Sequence, residues 1–317
     1  MIIQASGIWK TFGRFHALQD FSLGVPEGST FALVGANGAG KTTTIKLLMN
    51  IMAPTKGTLT VLGAESQKLS PRELVQIGYV SEQQKMPGRT QVGAYLRYLR
   101  PFYPRWDQSL ETEIVTQLGL PLERRIRDLS HGMRIKMALA CALPYRPRLL
   151  VLDEPFSGLD PLVREEFMGS LLRHAGDVTV FISSHELSEI EDATTHVAFL
   201  DSGALLLQES MADLKARLRG VRVTLDAPAR LPRQLPPEWL DVRLEGDGLR
   251  FIDTRDSTGQ IGERIAAAIG PAAGKVRQIE TEPVPLRSIF TTLARAERER
   301  KAPKENFRKG KARRGEA

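Results

Sequence analysis

The residues Gly35-Ala36-Asn37-Gly38-Ala39-Gly40-Lys41-Thr42 set glycines, a lysine and a hydroxyl in the GxxxxGK[ST] pattern of a phosphate-binding loop. Glycine lets such a loop wrap closely around phosphates, so that backbone N–H groups and the amino terminus of the next helix face the negative charge. Lys41 adds a point charge toward the β and γ phosphates, the Thr42 hydroxyl can reach Mg²⁺, and Thr43 follows as a further binding position. The surroundings fit. An apolar strand, Phe31–Val34, comes before the loop, and a helix burying Ile45, Leu48 and Met49 comes after it.

A second group of chemically capable residues closes the run Leu149-Leu150-Val151-Leu152-Asp153-Glu154. A parallel strand buried on both faces can bring Asp153 to its carboxyl end beside the phosphate loop, where it can hold magnesium through water. Glu154 lies one step further out, where its carboxylate could orient and partly deprotonate an attacking water. Together the two elements indicate a P-loop nucleotide hydrolase.

The choice among such enzymes rests on Leu129-Ser130-His131-Gly132-Met133-Arg134, ahead of the helical stretch Ile135–Leu143 and just upstream of the acidic strand. This resembles the signature sequence of the ATP-binding cassette (ABC) family, usually LSGGQ. Ser157-Gly158-Leu159-Asp160 resembles the family's D-loop, and His185 in Ile182-Ser183-Ser184-His185 resembles its switch histidine. These marks fall in the family's order within residues 1 to about 214. Ser130 at a helix start, with Gly132 permitting close approach, makes an anion site. By resemblance that site grips the γ-phosphate held by the opposite subunit, so that two chains sandwich two ATP molecules, with Asp160 a further nucleotide-binding residue. His185 is then a hydrogen-bonding link between γ-phosphate and Glu154. Phe12 in Lys10-Thr11-Phe12-Gly13 matches the family's adenine-stacking aromatic better than Phe15 does.

Two departures stand out. Glu82 occupies a position where family members often carry glutamine, with Gln83 beside it. A carboxylate there can bind Mg²⁺ but repels the γ-phosphate more than an amide would. The signature carries His131 for glycine and Met133 for glutamine; some exporter-type relatives also carry a bulky residue and Met there. By resemblance, Glu82 also reports to a membrane partner.

The elements that must position these residues form an α/β domain with a mainly parallel sheet. Phe31–Val34, Leu149–Leu152, Thr179–Ile182 and Val197–Leu200 are short apolar runs suited to strands buried on both faces. Ser70-Pro71-Arg72-Glu73 spells a capped helix start, and Asp160-Pro161 another. Between about 85 and 145 the pattern is helical, punctuated by Pro101, Pro104, Pro121 and Pro144, and predicts a helical subdomain inserted in the P-loop ATPase core. From 215 to 293 a small α+β domain is expected. Its strand Val221–Leu225, its hairpin at Gly246-Asp247-Gly248, its helical face Ile261, Ile265 and Ile269, and a last helix docking Ile289, Phe290 and Leu293 carry no metal cluster, nucleophile pair or second phosphate loop. From Ala294 to 317 the charged composition predicts a disordered tail.

The 317 residues carry a net charge of +7. Residues 295–317 hold ten Lys or Arg against four Glu, so the body is close to neutral and gives little reason to expect duplex nucleic acid. No apolar run approaches a bilayer span and no signal peptide opens the chain, which predicts a cytoplasmic protein. The single cysteine, Cys141, reads as a small buried hydrophobe. The resemblance implies ATP and Mg²⁺ as cofactors, a homodimer or a closely related second ATPase subunit, and integral membrane permease subunits, with the chain peripheral on the inner face of the cell membrane. Motif order, the Phe102–Asp107 segment FYPRWD and the short carboxyl-terminal domain resemble bacterial ABC-2 type exporter ATPases. The rival reading is a soluble cassette acting on nucleic acid or ribosomes, favoured only by the basic tail. That tail could equally lie against anionic lipid.

Overall fold

Strands that read as continuous apolar runs must be covered on both faces, and the four such runs lie side by side in one sheet. The computed structural model describes residues 1–82, 84–186, 190–226, 235–236, 238–246, 248–255, 261–269 and 276–301. The sheet contains β3 (Thr30–Val34), β6 (Ile77–Ser81), β7 (Leu149–Asp153), β8 (Thr179–Ser184), β9 (His196–Asp201) and β10 (Ala204–Ser210), in the order β10-β9-β3-β8-β7-β6. All neighbouring pairs are parallel except the edge pair β9–β10. Every residue of β7 and β8 is buried. Phe31 and Phe181 stack across neighbouring strands with ring centroids 5.8 Å apart.

Register decides which residues can meet. Ser81 pairs with Asp153, Asp153 with Ser183, and Val34 with Ser184, so these strands end level with one another. Their carboxyl ends form one rim, where an open parallel sheet places its ligand. A second sheet, β2-β1-β4-β5, is antiparallel and consists of β1 (Ile3–Phe12), β2 (Phe15–Val25), β4 (Lys56–Val61) and β5 (Ala64–Glu65). Its inner face packs Ile3, Ile8, Phe21 and Val61 into a core shared with Phe31, Val151 and Phe181 of the parallel sheet. Helix α1 (Lys41–Leu48) contributes Ile45 and Leu48 to that core.

Between β6 and β7 the chain forms α3 (Val92–Leu99), α4 (Gln108–Gln117) and α5 (His131–Ala142), after the short α2 (Pro71–Leu74), whose Ser70 and Glu73 make the full capping box. The FYPRWD segment fastens this helical region. Glu111 is buried and accepts hydrogen bonds from Arg100 Nε (2.9 Å) and Nη2 (2.8 Å) and from Trp106 Nε1 (2.7 Å). Asp107 caps α4 and pairs with Arg146, while Tyr103 stacks on Tyr145 at 3.9 Å. Tyr145 donates its hydroxyl hydrogen to Ile77 O (3.1 Å), tying the cluster to β6.

The chain divides into two units, residues 1–214 and 215–317, and α7 (Met211–Arg217) follows β10 in the chain. In the second, β11 (Arg219–Leu225), β12 (Trp239–Glu245), β13 (Gly248–Asp253) and β14 (Val276–Pro283) form an antiparallel sheet in the order β12-β13-β11-β14. Its core holds Val221, Val223, Trp239, Phe251 and, from α8 (Ile261–Ile269), Ile265. The turn residue Asp247, the side chains of Ile261 and Ile269, Gln83 and residues 302–317 lie outside the described residues. Helix α9 (Leu286–Lys301) corrects the boundary expected at Ala294. Leu286, Ile289 and Ala294 are buried and anchor the helix, and the Arg and Glu residues that follow are good helix formers, so it continues to Lys301. Among the described residues no helix is long and apolar enough to cross a membrane.

Between β7 and β8, α6 (Pro161–Ala175) carries Phe167, fully buried and edge-to-face with Phe156 at 5.5 Å. This contact seats the segment that follows Glu154. Phe167→Ala should lower the unfolding free energy by about 3–5 kcal/mol, read by urea denaturation. A loss under about 1 kcal/mol would contradict this packing.

Candidate active site

The loop from Gly35 to Gly40 leaves the end of β3 and turns directly into α1. Two positions admit only glycine. A Cβ on Gly35 would lie 2.3 Å from Leu200 O, and Gly40 holds φ 116 with Ala17 O 2.8 Å from where its Cβ would be. Because Gly40 is the N-cap and has no capping side chain, the first-turn N–H groups of α1 are left for another acceptor. Ala36, Asn37 and Gly38 face solvent, while Ala39 packs inward.

Lys41 is 4% exposed. Its ammonium donates to Gly35 O (2.6 Å) and Ala36 O (3.1 Å) and forms an ion pair with Glu154 Oε1 (3.0 Å). Thr42 Oγ1 donates to Asp153 Oδ1 (3.3 Å). Glu82 continues from β6, and its N–H donates to Asp153 O (3.1 Å), which holds it beside the acids. Asp153 and Glu154 are adjacent yet oppositely perturbed. Burial pushes the Asp153 carboxyl above the ordinary aspartate range despite hydrogen bonds from Ser183 and Thr42. Burial also works against the charge on Glu154, but there the hydrogen bonds and charges of His185 and Lys41 outweigh it and hold the carboxyl below the ordinary glutamate range.

His185 Nδ1 lies 2.7 Å from Glu154 Oε2, and the His185 backbone N–H reaches the same oxygen at 3.3 Å. Glu154 therefore has one oxygen on the lysine and the other on the histidine. Its φ of 49 is in the left-handed region, a strained setting for a residue with a Cβ.

Lys41, Thr42, Glu82 and Glu154 border a cleft of ≈ 300 Å³ whose lining is completed by Phe15, Ala17, Asn37, Gly38, Gly40 and Thr43. That is at the lower end of the volume range of small-molecule pockets, about 300–1,000 Å³. Phe12 stands opposite Phe15 across the turn between β1 and β2, with Lys10 Nζ 5.1 Å from its ring centroid. Phe15, not Phe12, is in the lining. Ser130 caps α5 by accepting from Met133 N (3.2 Å), and Asp160 caps α6 by accepting from Val163 N (3.0 Å). Gly132 packs against α6, where an added Cβ would fall 2.9 Å from Val163 Cγ1. His131 Nε2 lies 3.1 Å from Ser157 O, joining the signature-like segment to the D-loop-like one. Ser130, Gly132 and Asp160 are not among the residues lining the cleft, and neither are Gly35, Ala36, Ala39, Asp153 and His185. The structure adds Ala17 and Ser183. Ala17 gives no sign in the sequence, and Ser183 could have been noticed only as a hydroxyl at a strand end.

The ABC transporter family model matches residues 18–157. The bacitracin transport ATP-binding protein BcrA of Bacillus licheniformis is 32% identical over 222 residues, covering 69% of this chain and 72% of that protein. An uncharacterized ABC transporter ATP-binding protein of Bacillus subtilis, YhaQ, is 29% identical over 297 residues, covering 89% of this chain and 95% of its own length. In fold, the chain is similar to a solved ATP-binding subunit of an ABC transporter (TM-score 0.62, 24% identity, 68% of this chain and 92% of that one). It is also similar to the dimeric bacterial cassette MJ0796 (TM-score 0.58, 22% identity, 66% and 98%). The phosphate loop, the acidic strand end and these relatives agree: the chain belongs to the ABC transporter family, as an ATP-binding subunit of the kind that hydrolyses ATP.

Proposed function

We propose that this subunit powers a bacterial exporter of the ABC-2 type through a separate membrane permease, by ATP-driven pairing of two cassettes. The observation that carries the reading is the meeting of Lys41, Glu154 and His185 at the phosphate loop, with Lys41 and Glu154 in the lining of the cleft and Ser130 capping α5 outside it. Phosphates would lie against the N–H groups of residues 35–43 and the Lys41 ammonium. Phe15, with Phe12 across the hairpin, offers an aromatic face for adenine. Thr42 Oγ1 and Asp153 Oδ1 are the oxygens that would hold magnesium, and Glu82, which lines the same cleft as Glu154, is a further candidate. Among the described residues no group of three or more His, Cys, Asp or Glu could hold a metal ion. When bound, the ion neutralises charge on the β and γ phosphates. Glu154 takes a proton from the attacking water, and His185 holds the carboxylate in place.

A second copy, or a closely related ATPase subunit, would bring Ser130, Gly132 and Asp160 across the nucleotide, with the amino terminus of α5 facing the γ-phosphate. The relative named for bacitracin transport supports export as the direction. In this reading the chain lies on the inner face of the membrane, and the basic tail from about 294 to 317 would meet anionic lipid.

Glu154→Gln should keep nucleotide binding and lower steady-state turnover by about 100-fold or more. Unimpaired turnover would remove Glu154 from the role of base. Lys41→Ala should weaken binding of a fluorescent ATP analogue by roughly tenfold or more, and wild-type affinity would contradict the phosphate contact. Detergent-solubilised membranes should yield the chain together with an integral membrane protein. Recovery with RNA in its place would favour a nucleic-acid-directed ATPase.

A further inference from the structure

Ser183 lies in the last turn of strand before the rim, fully buried, directly paired with Asp153 on β7. Its hydroxyl does two things at once. It donates to Asp153 Oδ1 at 2.8 Å, and it accepts the backbone N–H of Glu154 at 3.0 Å. One oxygen atom thus fixes the side chain of the first acid and the main chain of the second. The second is the residue forced to φ 49, a conformation that L side chains rarely hold without compensation. A hydroxyl suits this place because it is donor and acceptor together, which neither an apolar side chain nor an ammonium can be.

We infer that Ser183 is a positioning residue for hydrolysis, holding Asp153 toward the cation and Glu154 toward the attacking water as one unit. The inference rests on the roles proposed above for those two acids. Without the hydroxyl, Asp153 Oδ1 would keep the longer contact from Thr42 (3.3 Å). The N–H of Glu154 would lose the partner that favours its strained backbone. Lys41 and the loop N–H groups are untouched by the change, so capture of the phosphates should persist while cation affinity and turnover fall.

The test compares Ser183→Thr with Ser183→Val in the full chain. The two side chains have nearly the same shape, so any crowding by the extra methyl group is common to both and the hydroxyl is the difference. Ser183→Val should show kcat lower than Ser183→Thr by roughly tenfold or more, with KM for ATP changed by less than about threefold. A titration of fluorescent nucleotide with Mg²⁺ should show the cation requirement rising by roughly tenfold in the valine variant, and nucleotide binding without added cation should be equal in the two. Equal kcat and equal cation requirement in the two variants would overturn the inference even with Glu154→Gln inactive. A loss seen in thermal melting alone, with kcat unchanged, would likewise reduce Ser183 to a packing residue. Wild-type turnover in Glu154→Gln would instead bring down the assignment of the acids, and this inference with it.

Discussion

A buried ammonium facing a carboxylate governs the arrangement of the site. Lys41 has three N–H donors and three oxygens around it, two from the loop backbone and one from Glu154. A charge so enclosed is stable only while those partners stay in place, because an unpaired buried charge costs several kcal/mol. The loop must therefore fold back on its own lysine, and the end of β7 must stand opposite. A phosphate entering the cleft competes for an ammonium that is already satisfied, so ligand binding and rearrangement of Glu154 are linked by one atom.

The parallel register supplies the second constraint. Level strand ends put the phosphate loop, Asp153, Ser183 and Glu82 on one rim without any of them being near in sequence. On that rim, neighbouring acids diverge. Asp153 points into protein and is held near a hydroxyl pair, whereas Glu154 is turned by its left-handed backbone between a lysine and a histidine. Residues one position apart thus meet opposite environments: burial pushes the Asp153 carboxyl up, while the histidine and lysine hold that of Glu154 down despite its burial.

Much of this was legible in the residues. Runs such as Leu149–Leu152 and Thr179–Ile182 announce strands covered on both faces, and the loop glycines and the caps at Ser70, Ser130 and Asp160 carry their geometry in their side chains. The antiparallel sheet β2-β1-β4-β5 was not legible. Strand β1 mixes Trp9, Lys10 and Thr11 with its apolar positions, and register shifts break its alternation, so no clean period of two emerges. Phe12 and Phe15 flank a tight turn and differ in which one lines the cleft, a matter of hairpin geometry that spacing does not convey. The hydroxyl of Ser183 gains its meaning only from the strand beside it.

The central claim is that one copy's cleft is completed by another copy's Ser130. The most direct measurement is the solution mass of the catalytically arrested Glu154→Gln chain, by light scattering, with and without saturating Mg-ATP. The account predicts a monomer that becomes a dimer with nucleotide, and a Ser130→Arg change that abolishes the shift without abolishing nucleotide binding. A chain that stays monomeric with nucleotide, and also fails to pair when joined to its membrane subunits, would contradict it.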